Sequence, residues 1–184
     1  MNLFFLDLDP KKCAEYHCDK HVVKMILEIT QMLYTAHYIH CTPELPIDSY
    51  KPISNRKHPM NIWISLNENN YSFALRIAKC LSEEYSFRYY NKIHSCDKHL
   101  RWLNHNIPDF KNILNYSSNT VFGKVPLFEK ITPIPLCMPE DSMDVNSAVQ
   151  SYRNYYLLHK QRFTKWTKRP IPEWFRYSSI RNYF

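Results

Sequence analysis

Apolar residues recur at three- and four-residue steps through much of the first hundred residues, and that spacing reads as helix. The clearest case opens at Asp9-Pro10, an N-cap followed by proline at the first helical position. It predicts a single helix running to about His37 or Ile39. Before it, Leu3 to Leu6 reads as a short strand. Residues 42–58 contain Pro43, Pro46 and Pro52 and read as a loop. Pro59 opens a second helical stretch, and Asn67 to Asn70 looks like a break with a new cap. The helix that follows should reach about Tyr90, with Phe73, Ile77, Cys80, Leu81 and Tyr85 on its apolar face. A short helix is expected around Asp97–His105. Pro108, Pro126, Pro133, Pro135 and Pro139 break residues 106–143 into a long ordered loop, an unusual feature that suits the wall of a site. A last helix is expected from about Met143 to Phe163, and Pro170 and Pro172 forbid a long helix in the tail. The expected fold is therefore mainly α. One compact helical domain spans 1–184, with a short extended N-terminal segment, a helical core over about 9–105, a loop wall over 106–143, and a last helix with a tail over 144–184.

On a helical wheel the first helix carries an unusual polar set. Cys13, His17, His21, Lys24, Glu28, Gln31 and Thr35 fall within a stripe about 80° wide, with apolar flanks on both sides. A solvated face is usually wider and richer in Lys and Glu. This one mixes thiol, imidazole, ammonium, carboxylate and amide, and reads as the wall of a cleft; a solvated edge is the alternative. Cys18 falls on the core side, and Asp9 is a cap. Histidine titrates near neutral pH, so His17 and His21 suit general acid–base work. Lys24 would supply charge or act as a nucleophile, and Glu28 would orient Lys24 or His21. These four are the candidate catalytic residues. Cys13, His17 and His21 also have a spacing that could hold zinc with His58 or water as fourth ligand, but the pattern lacks the glutamate of a zinc-protease helix. No cofactor is expected; were zinc bound, those three residues would be its ligands.

Charge and composition narrow the partners. Residues 1–150 are electrically balanced. Residues 151–184 carry eight Lys and Arg against Glu173 alone, which accounts for the whole net charge of +7. A basic segment of that kind points to a polyanion. Its Lys165-Trp166-Thr167-Lys168-Arg169 run interleaves cations with an aromatic, which suits phosphate contact and base stacking. Trp174 and Phe175 read as core. Arg56, Lys57 and His58 form a basic cluster before Pro59, at a helix N-terminus, and Asn61 could read a base edge. With Lys20 and Gln31, these residues complete the candidate substrate and phosphate contacts: Lys20, Gln31, Arg56, His58, Asn61, Lys165, Trp166, Lys168 and Arg169. A single glycine in the chain argues against glycine-rich phosphate loops, so phosphate would be held by side chains or helix ends. Six dispersed cysteines without a CxxC pair and without a signal peptide read as reduced thiols in an intracellular compartment. No run approaches the roughly 20 apolar residues that a membrane span needs.

"LDLDPKKCAEYHCDKHVVKMILE" with the later "YRNYY…KWTKRPIPEWF" resembles a family of poorly characterised proteins from tailed phages and large DNA viruses. The two motifs bracket nearly the whole chain. The layout is more distantly similar to the pyrimidine-dimer DNA glycosylases of the endonuclease V type: small, basic and helical, with a histidine near His17 and an aromatic-basic tail. That family attacks with the α-amine of a small residue exposed by loss of Met1. Here Asn2 follows Met1, and the family's carboxylate falls near Lys24 or is unaligned, so the imine chemistry does not carry over. The resemblance implies a viral protein in the cytoplasm of an infected cell that processes nucleic acid or a nucleotide in a glycosylase-like way. The alternative is a non-catalytic nucleotide or nucleic-acid binder that interferes with a host pathway.

Overall fold

The computed structural model describes residues 2–127 and 130–180, with side chains as far as Arg176. It is mainly α. In chain order the elements are α1 (Pro10–Tyr16), α2 (Asp19–Ile39), α3 (Pro59–Ser65), α4 (Glu68–Arg88), α5 (Asp97–His105), β1 (Phe122–Gly123), β2 (Ile134–Pro135), α6 (Ala148–Tyr155) and α7 (Glu173–Ile180). The antiparallel helices α2 and α4 form the central pair; α1 lies across α4, and α3 packs against α2. β1 and β2 pair antiparallel, Phe122 opposite Pro135 and Gly123 opposite Ile134.

Local chemistry sets most boundaries. Asp9 caps α1 by accepting from the amides of Lys11 and Lys12 at 2.8 and 3.2 Å. Asn67 caps α4 by accepting from the Asn70 amide at 3.0 Å, and Ser147 caps α6 through the Gln150 amide at 3.1 Å. Leu3–Leu6 is buried but pairs with no strand; it threads the core as an extended segment, correcting the strand expectation. Phe5 meets Trp63, Phe73 and Tyr152 with ring centroids 5.3, 6.1 and 5.5 Å apart, tying α3, α4 and α6 to the N-terminal segment.

The expected first helix is two helices. His17 and Cys18 are extended (ψ 134° and 160°), so the chain turns between α1 and α2. The wheel that placed Cys13 and His17 in phase with His21 therefore does not apply across that break. The last helix is also shorter than expected: α6 begins at Ala148, continues as a π-helical turn over Tyr156–Lys160, and ends in a 3₁₀ turn over Gln161–Phe163.

The lone glycine has a steric reason. A Cβ on Gly123 would lie 2.6 Å from the Ala148 Cα and 2.8 Å from its nitrogen, where β1 meets the start of α6. Gly123→Ala should therefore cost about 1–3 kcal/mol of stability, since backbone rather than a flexible side chain must move. A urea midpoint unchanged from wild type would contradict this.

Candidate functional site

The break between α1 and α2 is held by one guanidinium. Arg88, buried at the end of α4, donates to the Glu84 carboxylate at 2.6 Å, to Asp19 at 2.9 Å, and to the carbonyls of His17 and Glu15 at 2.9 and 3.0 Å. The tail closes over this knot. Trp166 Nε1 donates to the Tyr16 carbonyl at 2.9 Å, Asp19 N to the Lys165 carbonyl at 2.8 Å, and the Thr167 hydroxyl to Asp19 at 2.7 Å. Burial raises the Asp19 carboxyl, but the Thr167 amide and hydroxyl and Arg88 outweigh it and leave it below the usual range. Arg169 is paired with Glu84 at 2.8 Å and Glu15 at 3.3 Å. Thus Trp166 and Arg169, expected at a phosphate, are engaged within the fold. Lys168 donates to the Phe87 carbonyl at 3.0 Å and sits over the Tyr90 ring; Lys165 is exposed.

The stripe residues divide into two groups. In the first, His17 is fully buried. Its Nδ1–H donates to the Cys13 carbonyl at 2.7 Å, which fixes the tautomer, and its Nε2 has no partner among the described residues. Burial lowers it to about 4. The Cys13 thiol donates to the Phe4 carbonyl at 3.3 Å. His21 stacks on Phe4 at 4.7 Å and hydrogen-bonds through Nδ1 to the Tyr156 hydroxyl, which the π-helical turn carries inward. Burial first, and then the charges of His17, Lys160 and Lys24, lower it to about 3. Lys20 is exposed and lies 5.3 Å from the Phe163 ring centroid. Among the described residues no group of three His, Cys, Asp or Glu is placed to hold a metal.

The second group lies one to two turns further along α2. Glu28 is buried to 8% exposure. Its carboxylate accepts from the backbone N–H of Asn2 at 2.8 Å and pairs with Lys24 at 3.1 Å. The Asn2 side-chain amide donates to the Cys137 carbonyl at 2.9 Å, so residue 2 bridges Glu28 to the loop wall. His58 lies near enough to feel the charge of this carboxylate. Its Nδ1 accepts from the Met60 amide at 3.2 Å, so the neutral ring carries its proton on Nε2. Burial lowers His58, and the nearby Glu28 charge opposes that shift. Lys57, His58, Thr120, Cys137 and Met143 line a groove of ≈ 400 Å³.

The remaining candidates are spread around these groups. Gln31 is half-buried and Thr35 is buried, its hydroxyl accepting from the Ile53 amide at 3.0 Å. Arg56 is exposed. Asn61 is buried with its amide donating to the Arg56 carbonyl at 3.0 Å. Asn2 and Tyr156 were not singled out by sequence, whereas Lys57 belongs to the expected basic cluster and residues 117–121 to the expected loop wall. Asn2 and Tyr156 carry no spacing signal, because each joins α2 from a distant part of the chain. Compared with protein-family models, curated proteins and solved structures, the chain matches none. No helix among the described residues is long and apolar enough to cross a membrane.

Proposed function

We propose that the chain hydrolyses an N-glycosidic bond in a nucleotide or nucleic acid, with Glu28 as the catalytic carboxylate and His58 as a neutral hydrogen-bond donor to the departing base. One observation carries this reading: a buried carboxylate, held by a backbone N–H and an ammonium, lies within electrostatic reach of His58, a neutral imidazole that lines a groove of ≈ 400 Å³. Cleavage of such a bond builds positive charge at the sugar C1′. A carboxylate with limited access to water stabilises that charge and takes the proton of the attacking water, while the neutral His58 ring donates a hydrogen bond to the departing base, which takes up its proton from water. Lys24 and Lys57 supply fixed positive charge for phosphate. The resemblance to proteins of tailed phages and large DNA viruses extends the reading to an infected cell, and the net charge of +7 supports a polyanionic partner.

Glu28→Gln keeps the shape and the hydrogen bond from Asn2 but removes the charge. It should lower base release by about 10²–10⁴-fold with little loss of folding. The measurement is chromatographic detection of free base from nucleosides, nucleotides and single- and double-stranded DNA. Full base release by the variant would remove Glu28 from the chemistry. Tight retention of an unaltered nucleotide by the wild type would favour a non-catalytic binder.

A further inference from the structure

A larger groove opens on the other side of Lys57. It has a volume of ≈ 550 Å³ and lies between the end of α2 and residues 113–117. Lys57 and Ser117 line both grooves. We propose that this second groove binds an amphipathic organic phosphate the size of a nucleoside monophosphate, separately from the reaction groove. Its volume lies within the roughly 300–1,000 Å³ range of small-ligand sites.

The lining has two chemical halves. Arg56 and Lys57 are exposed cations at the lip, and neither has an ion-pair partner among the described residues. Two unpaired cations in sequence suit a phosphate, which Arg can grip with two parallel hydrogen bonds. Ile39, Ile62 and Ile113 supply apolar wall, and Ile113 is 90% exposed, an apolar side chain held open in solvent. The Tyr116 ring also lines the groove, and its hydroxyl is buried without a partner among the described residues. Buried polar atoms ordinarily find partners, so the orphaned hydroxyl of Tyr116, a residue of the groove lining, marks a place where a ligand or ordered water completes the bonding. A planar ring over the isoleucines with a phosphate at Arg56 and Lys57 fits both halves.

The groove is also fixed in shape and in charge. The Asn112 side-chain amide donates to the Ile39 carbonyl, and its backbone N–H meets His40 Nδ1 at 3.3 Å. These bonds anchor the loop at its start and occupy the last carbonyl of α2, so the negative end of that helix is not left facing an anion.

The test is calorimetric titration of the full chain with AMP, with adenosine and inorganic phosphate as separate probes. The expected result is one AMP bound per chain, adenosine and phosphate each at least about 10-fold weaker, and Arg56→Glu and Ile113→Glu each weakening AMP by about 10-fold. Both residues are exposed, so folding should survive either change. Glu28→Gln should leave AMP binding unaltered, and Ile113→Glu should leave base release unaltered. No AMP binding, phosphate binding as tight as AMP, or AMP binding insensitive to both surface variants would each overturn the proposal. AMP binding lost in Glu28→Gln would assign it to the reaction groove instead. Absence of base release in the wild type would defeat the glycosidase reading while leaving the titration interpretable.

Discussion

Arg88→Met is expected to destabilise the fold by about 3–5 kcal/mol, the usual cost of leaving buried charge without its partner. The side chain is fully buried and meets four partners on three segments. Its loss leaves Glu84 with Arg169 alone and Asp19 with Thr167, and frees the carbonyls of Glu15 and His17. Methionine fills much of the volume, so the effect reports charge and hydrogen bonding rather than a cavity. Urea unfolding followed by tryptophan fluorescence measures it, and Trp166, clamped to Tyr16, senses the release of the tail directly. A loss under about 1 kcal/mol would show that the knot is not the main tie between α1, α4 and the tail.

Acid should unfold this protein well above the pH at which its carboxylates titrate. His17 and His21 are held neutral, lowered from 6.5 to about 4 and about 3, in both cases chiefly by burial. The unfolded chain takes up their protons as pH falls through about 6.5, whereas the folded chain resists until it reaches the lowered values. Stability is therefore complete above pH 6.5 and declines below it, by about 1.4 kcal/mol per pH unit for each histidine. Together they should remove about 4 kcal/mol between pH 6.5 and 5, a large part of a typical domain stability of about 5–15 kcal/mol. His37, lowered to about 4 by burial and by His40, adds in the same direction. Asp19 acts in a separate, lower window: its depressed carboxyl stabilises the fold above its usual 3.8 and loses that contribution only as pH falls further. Equal urea midpoints at pH 7.5 and pH 5 would refute the account.

Local signals in the sequence carried much of the helical layout. Asp9 and Asn67 act through their own next few amides, and Asp97–His105 forms a helix at the expected bounds. What failed was governed at a distance. Nothing near His17 announces a chain reversal; Arg88, donating to the His17 carbonyl from 71 residues away, holds it. The stripe on α2 was visible from Lys24 to Thr35 because helical phase is preserved there. It was wrong at Cys13 and His17 because phase is lost at the break. The interleaved tail looked like a nucleic-acid contact because sequence shows cations and rings but not the Glu15 and Glu84 carboxylates that meet Arg169. Trp174 and Phe175, expected in the core, are half-buried and buried respectively.

The clasp formed by residues 165–169 also bears on the timing of folding during synthesis. The first turn of α2 takes its backbone and carboxylate partners from Lys165 and Thr167, nearly 150 residues later. Helices α1 to α5 can pair as they emerge, and Arg88 can then reach the break at His17–Cys18, but the tail's bonds to that break form only after residues 165–167 have been made. Contacts of such long sequence separation form late and slow folding. The helix that carries Glu28 thus has its first turn completed by a segment made long after it.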